Sequence, residues 1–194
     1  MEMTTALPNS LDLSVAPLRG RAIGALICGI FGAVWMFEAL YFGAIATPAC
    51  LTVIGLFAAA FVIWPTTQLL SLRHAAFSSA AGQQWSDVSK AYWITVTIEG
   101  LACMVAGNVL NNIGRSDLVP EAIGGIVGLH FLPLAKIFRA RIYNWTGVAM
   151  VLGILASLAI PAGSLRNIVA CGASGLALWA TAAVICVRIR LSSK

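Results

Sequence analysis

The sequence predicts an all-α fold, a polytopic membrane protein whose six transmembrane helices form an antiparallel bundle with both termini in the cytoplasm. Three observations lead there. Of the 194 residues, 60% are hydrophobic and only 10% are charged, against about 25% charged in an ordinary soluble domain. Too few charges exist to cover a water-facing surface, so the apolar excess must meet lipid. Second, six apolar runs approach the about 20 residues that a helix needs to cross a hydrocarbon core about 30 Å thick. Third, the basic residues divide unevenly between the two sides that these runs define.

The runs lie at 22–43, 48–70, 91–112, 119–138, 143–160 and 165–187. A backbone in lipid must satisfy its own hydrogen bonds, so each run is expected to be an α-helix. Short alternating segments of the barrel type are not present. Residues 1–20 are expected to form a mobile cytoplasmic tail whose leucines at 11, 13 and 18 rest on the membrane surface. The first run is expected to stay as a helix rather than act as a cleaved signal. Glu2 and Asp12 precede it, and no short apolar core with a small-residue cleavage site comes before residue 22.

Each run carries its own marks. The first holds Glu38 far along its length. The second carries Trp64 near one rim and then Pro65, where a kink is expected. The loop after it, "SLRHAAFSSAAGQQWSDVSK", is the longest and suits a short interfacial helix. The third run opens with Tyr92 and Trp93, whose amphipathic rings favour the interface, and contains Glu99, Asn108, Asn111 and Asn112. The fourth starts at Pro120 and Glu121, holds His130 and ends at Lys136. The fifth is the shortest and opens with Tyr143 and Trp145. The sixth ends in Arg188 and Arg190, and residues 191–194 form a short C-terminal tail.

Ten of the twelve basic residues fall on the side of the termini, and only Arg115 and Arg166 fall on the other. This positive-inside bias places both termini in the cytoplasm and requires an even number of spans. It also accounts for the net charge of +5, since basic residues at the rim meet anionic headgroups. Nucleic acid is therefore not an expected partner. Membrane lipids are, together with a small solute or ion, and with a second copy of the chain or another membrane protein. The expected location is a bacterial plasma membrane.

The connections on the outer side are short, so adjacent helices should pair as hairpins. Gly20 and Gly24, Gly124 and Gly128, and Ala149, Gly153 and Ser157 recur at four-residue spacing. Such faces let backbones approach in lipid, which predicts close contact among helices 1, 4 and 5. "RAIGALICGI" and "EAIGGIVGLH" share Ala-Ile-Gly in register. Helices 1 and 4 run in opposite directions, as an inverted three-plus-three repeat would require. The five cysteines fall inside apolar runs without a C-x-x-C pair, so packing rather than a disulfide or metal is expected. No cofactor is expected.

The polar groups inside the runs bear most on function. Glu99 lies about 9 Å beyond Trp93, and His130 about 9 Å from Lys136, at 1.5 Å per helical residue. The two sit at similar depth on one hairpin, so a carboxylate–imidazole contact that shares a proton is open to them. An acid near the bilayer centre costs roughly 2–3 kcal/mol unless protonated, paired or wet. Glu38, Asn108, Asn111 and Glu121 fall nearer the outer side and suit a polar vestibule there. Glu121, next to Pro120 in the first helical turn, equally suits the helix dipole, with Asp117 or Ser116 as cap. Glu99 and Asn108 are nine residues apart, on opposite sides of one helix, as are Glu121 and His130. One straight pore wall cannot hold all four.

Three functions are compatible with this pattern. The leading one is a small proton-sensitive transporter or channel for a small solute or ion, with Glu99 and His130 at its polar centre. The second is a non-catalytic accessory or assembly subunit of a membrane complex, whose polar residues only join helices. The third is a membrane enzyme acting on a lipid or other hydrophobic molecule, with Glu99 and His130 as acid and base. No nucleophile, phosphate-binding loop or metal motif accompanies that pair, and no catalytic residue is assigned.

Overall fold

The structure, a computed structural model, describes the backbone of residues 12–72 and 79–192 and the side chains of residues 18–71 and 88–191. The tail residues 1–11, Leu13, Arg73, His74 and Lys194 lie outside the described side chains. Among the described residues there are six α-helices, one 3₁₀ turn and no strand. The helices are α1 (Asp12–Phe42), α2 (Pro48–Leu72), α3 (Ser79–Asn112), α4 (Val119–Ile137), α5 (Ile142–Leu158) and α6 (Ser164–Ser192), with the 3₁₀ turn (Ser116–Leu118) ahead of α4.

Five of these helices are long and apolar enough to cross a membrane, and α5 is the shorter sixth. Its 17 residues give about 25 Å of helix, close to the lower limit for a span. Two helices begin earlier than their apolar runs. α1 starts at Asp12, and α3 at Ser79, so the second half of the long loop continues α3 rather than forming a separate interfacial helix. α2 runs on through Pro65 without a break. There the hydroxyls of Thr66 and Thr67 donate to the carbonyls of Val62 and Trp64, at 2.6 and 2.7 Å.

Three helices end in one way. After α3, the Arg115 N–H donates to the Leu110 carbonyl and the Gly114 N–H to that of Asn111. The paired bonds and the positive φ of Gly114, 73°, form a Schellman motif. Ala44 after α1 and Arg139 after α4 take the same left-handed conformation and close the same pair of bonds. The turns after α1 and α3 reverse the chain within a few residues and set the hairpins α1–α2 and α3–α4.

α6 and α1 pack together most extensively and form the spine of the bundle. Gly32 and Gly175 let the two backbones approach, since a Cβ on Gly175 would stand 3.0 Å from the Gly32 carbonyl oxygen. The Trp179 indole N–H donates to the Gly29 carbonyl at 3.1 Å, and its ring stacks on Phe61 of α2. Gln68 of α2 donates to the Cys186 carbonyl at 2.8 Å. α5 is fixed to α6 by a 2.6 Å bond between the Thr146 and Thr181 hydroxyls, and to α4 at Gly128 and Gly147.

The expected close set of helices 1, 4 and 5 holds for α4 with α5 only. α1 packs on α6 and α2 instead, and reaches α5 through the Tyr143 side chain at Gly24. The two halves of the chain are also not equivalent. α5 packs on α6, whereas the described residues of α2 and α3 do not touch. α3 is attached through α4, touches α1 at few places, and contributes no buried residue between 88 and 112.

Candidate functional site

The position of α3 creates a crevice in the membrane-spanning part of the molecule. Because α3 leans on α4 and stands away from α1, a crevice of about 810 Å³ separates α1 from the α3–α4 hairpin. A stripe of α1 from Gly20 to Phe42 lines it, which at 1.5 Å per residue makes it about 30 Å long. Its walls are mainly apolar and aromatic. Exposed lining residues on both edges, Phe31 and Val34 of α1 with Trp93 and Gly100 of α3, show that it opens sideways between α1 and α3.

Glu99 of α3 and His130 of α4 meet on the hairpin side of this crevice near its mid-length. The His130 Nε2 lies 3.4 Å from the Glu99 Oε2, and both side chains are largely enclosed, with 8% and 19% of their surface accessible. The His130 ring also meets the backbone of Thr95 and packs edge-on against Phe131. Helical spacing explains the meeting. Residues 92, 96, 99 and 103 of α3 and residues 123, 127, 130 and 134 of α4 fall on the faces that these antiparallel helices turn to the crevice. Tyr92 and Cys103 lie near the carboxyl group, and Cys28 of α1 lines the same crevice. Carboxyl and imidazole together can hold one proton between them without net charge, which a mainly apolar cleft tolerates far better than a lone ion.

Of the residues assigned to an outer vestibule, Glu38 and Asn111 line the crevice at its far end, with Ser116. Asn108 and Glu121 do not line it. The Asn108 amide donates to the Met104 carbonyl in its own helix at 2.8 Å, on the side of α3 away from Glu99. Glu121 is buried, with its Oε1 accepting from the Arg166 Nε at 2.7 Å. Arg166 Nη2 donates to the Asp117 side chain at 3.0 Å and to the Asp117 carbonyl at 2.8 Å, and Arg115 pairs with Asp117 from outside. The start of α4 has no side-chain cap. Asp117 and Ser116 therefore do not cap it, and Asp117 serves the Arg166 cluster instead. This network joins α6 to α4 at the end of the bundle.

Sequence reasoning missed two things here. Arg166 is separated by 45 residues from Glu121, and only its position as one of two basic residues set apart from the others by the expected topology hints at the pairing. The aromatic lining of the crevice carries no periodic mark that distinguishes it from core. A comparison with protein-family models, curated proteins and solved structures finds no match for this chain.

Proposed function

We propose that this membrane protein binds a small lipophilic molecule in the α1–α3–α4 crevice and carries it across the bilayer, with the Glu99–His130 pair as its proton-sensitive contact. The observation that carries this reading is the combination of a membrane-length apolar crevice, open sideways, with one carboxylate–imidazole pair inside it. A binding site of several hundred Å³ with few polar groups on apolar walls suits a drug-sized apolar ligand. A strongly hydrated solute would lose its water against such walls without replacement, so the substrate is lipophilic rather than freely polar. The sideways opening gives such a molecule access from the bilayer, where it concentrates. The bias of basic residues supports a cytoplasmic location for both termini in a plasma membrane.

Gly100 supplies the test. It lines the crevice, and a Cβ built on it meets nothing within 4 Å; Gly107, on the same helix, is equally open but does not line the crevice. Gly100→Phe should fill the opening and abolish uptake of a lipophilic dye into proteoliposomes, while Gly107→Phe keeps it. Equal uptake by the two variants contradicts the proposal. Glu99→Gln addresses the accessory-subunit reading: uptake unchanged with assembly impaired favours that reading, whereas uptake lost in a stably folded protein favours transport.

A further inference from the structure

The charge of the crevice differs in sign from the charge of the chain. The protein carries a net +5, yet among the described residues no Lys or Arg lines the crevice, and two carboxylic acids, Glu38 and Glu99, do. Arg21 comes within electrostatic reach of Tyr143, where α5 begins. Aromatic rings supply much of the remaining wall, among them Phe31, Trp35, Tyr92, Trp93, Phe131 and Phe138. An aromatic face attracts a cation through the negative pole of its quadrupole, and the attraction grows when water is excluded. An organic anion would meet two acids and these negative ring faces, and among the described lining residues only His130 could oppose them.

We propose that the ligand of this crevice is a lipophilic cation, which takes the proton's place at Glu99. The assignment rests on the crevice being a binding site, and it adds the ligand's charge and the exchange. The empty pair holds one proton between carboxyl and imidazole. When the cation enters, that proton leaves to water, Glu99 remains as carboxylate against the bound cation, and His130 remains neutral. One positive charge enters and one leaves, so the apolar walls around the pair never enclose a net charge. The groups near Glu99 fit this exchange: His130 from α4 and Tyr92 and Cys103 from α3 itself carry no fixed charge, and α1 adds the Cys28 thiol to the same crevice. Glu38, at the far end of the crevice, offers a second station on the path across.

Two ions of nearly equal shape and opposite charge test the assignment. Tetraphenylphosphonium and tetraphenylborate, with neutral triphenylphosphine oxide as a third probe, are titrated into the full chain in a non-ionic detergent, with the quenching of tryptophan fluorescence that Trp35→Phe and Trp93→Phe remove as the readout and Gly100→Phe as background. The phosphonium should bind at least about tenfold more tightly than the borate. Its affinity should fall as the pH is lowered, because protons compete for the same carboxylate. Its binding should release about one proton per cation into a weakly buffered solution, by linkage. Glu99→Gln should abolish the release. Gly107→Phe, on the same helix but off the crevice, should leave it intact, and an unfolding midpoint of Glu99→Gln equal to that of the parent chain guards against a folding defect at position 99. Equal or tighter binding of the borate, or phosphonium binding without proton release, overturns the cation assignment and leaves the crevice reading standing. If only neutral triphenylphosphine oxide binds, the same holds. If none of the three probes binds, both readings fail.

Discussion

Arg166 has three partners at once, the Glu121 carboxylate, the Asp117 carboxylate and the Asp117 carbonyl, and the Glu121 Oε2 is buried with no partner. Removing the guanidinium leaves an acid uncompensated inside packed protein. In a deep interior that costs about 3–5 kcal/mol. The cluster lies at the end of the bundle, close to water, so Arg166→Gln should cost less, about 2 kcal/mol, read as a lower unfolding midpoint in detergent. Adding Glu121→Gln should restore much of the loss, and a double-mutant cycle gives the coupling. Simple additivity would show that the two side chains do not stabilise each other. Glu121 also marks the limit of reading residues from sequence. Its place beside Pro120 is sufficient to locate a helix start, but its energetic role depends on a partner 45 residues away. The Glu99–His130 meeting is more legible, because both depths follow from the helical rise and the connection between α3 and α4 fixes their pairing.

Helix packing in this bundle depends on small residues at defined positions. A Cβ on Gly147 would lie 2.6 Å from the Gly128 carbonyl oxygen, whereas one on Gly172 meets nothing within 4 Å. Gly147→Ala should therefore push α5 from α4 and destabilise the protein by about 1–3 kcal/mol. Gly172→Ala should be neutral or slightly stabilising, because Ala favours the helix over Gly by about 1 kcal/mol. Comparing unfolding midpoints of the two variants checks the difference; equal midpoints would mean that the α4–α5 contact is looser than described. All six helices are legible in the sequence, since lipid makes the apolar run nearly synonymous with the helix. What hydropathy does not supply is the part of α1 and α3 outside the apolar runs, where mixed polar and apolar residues continue the helix by ordinary helical hydrogen bonding. Nor does small-residue spacing identify partners. The Gly20 and Gly24 pair points α1 toward α4 and α5, but close backbone approaches of α1 are made further along, at Gly29 to Phe61 of α2 and at Gly32 to Gly175 of α6. A small residue marks where a backbone can come near without saying which backbone does.

At the scale of the whole molecule, the hairpin α3–α4 is attached to the rest mainly through α4, and the crevice exists because α3 stands off. Hydropathy is blind to this arrangement, since a helix facing lipid and a helix facing an apolar crevice have the same composition. The consequence is that Glu99 lines the sideways-open crevice while Glu121 is sealed by Arg166. Dicyclohexylcarbodiimide separates these cases, because it dissolves in lipid and adds to carboxylic acids in their protonated form. The decisive measurement is mass-spectrometric mapping of its adducts on the protein in lipid vesicles. Glu99 should carry the adduct, more slowly as the pH rises and less in the presence of tetraphenylphosphonium, with Glu121 unmodified. An unmodified Glu99, or an adduct at Glu121 in its place, would contradict the crevice as a site open to the membrane.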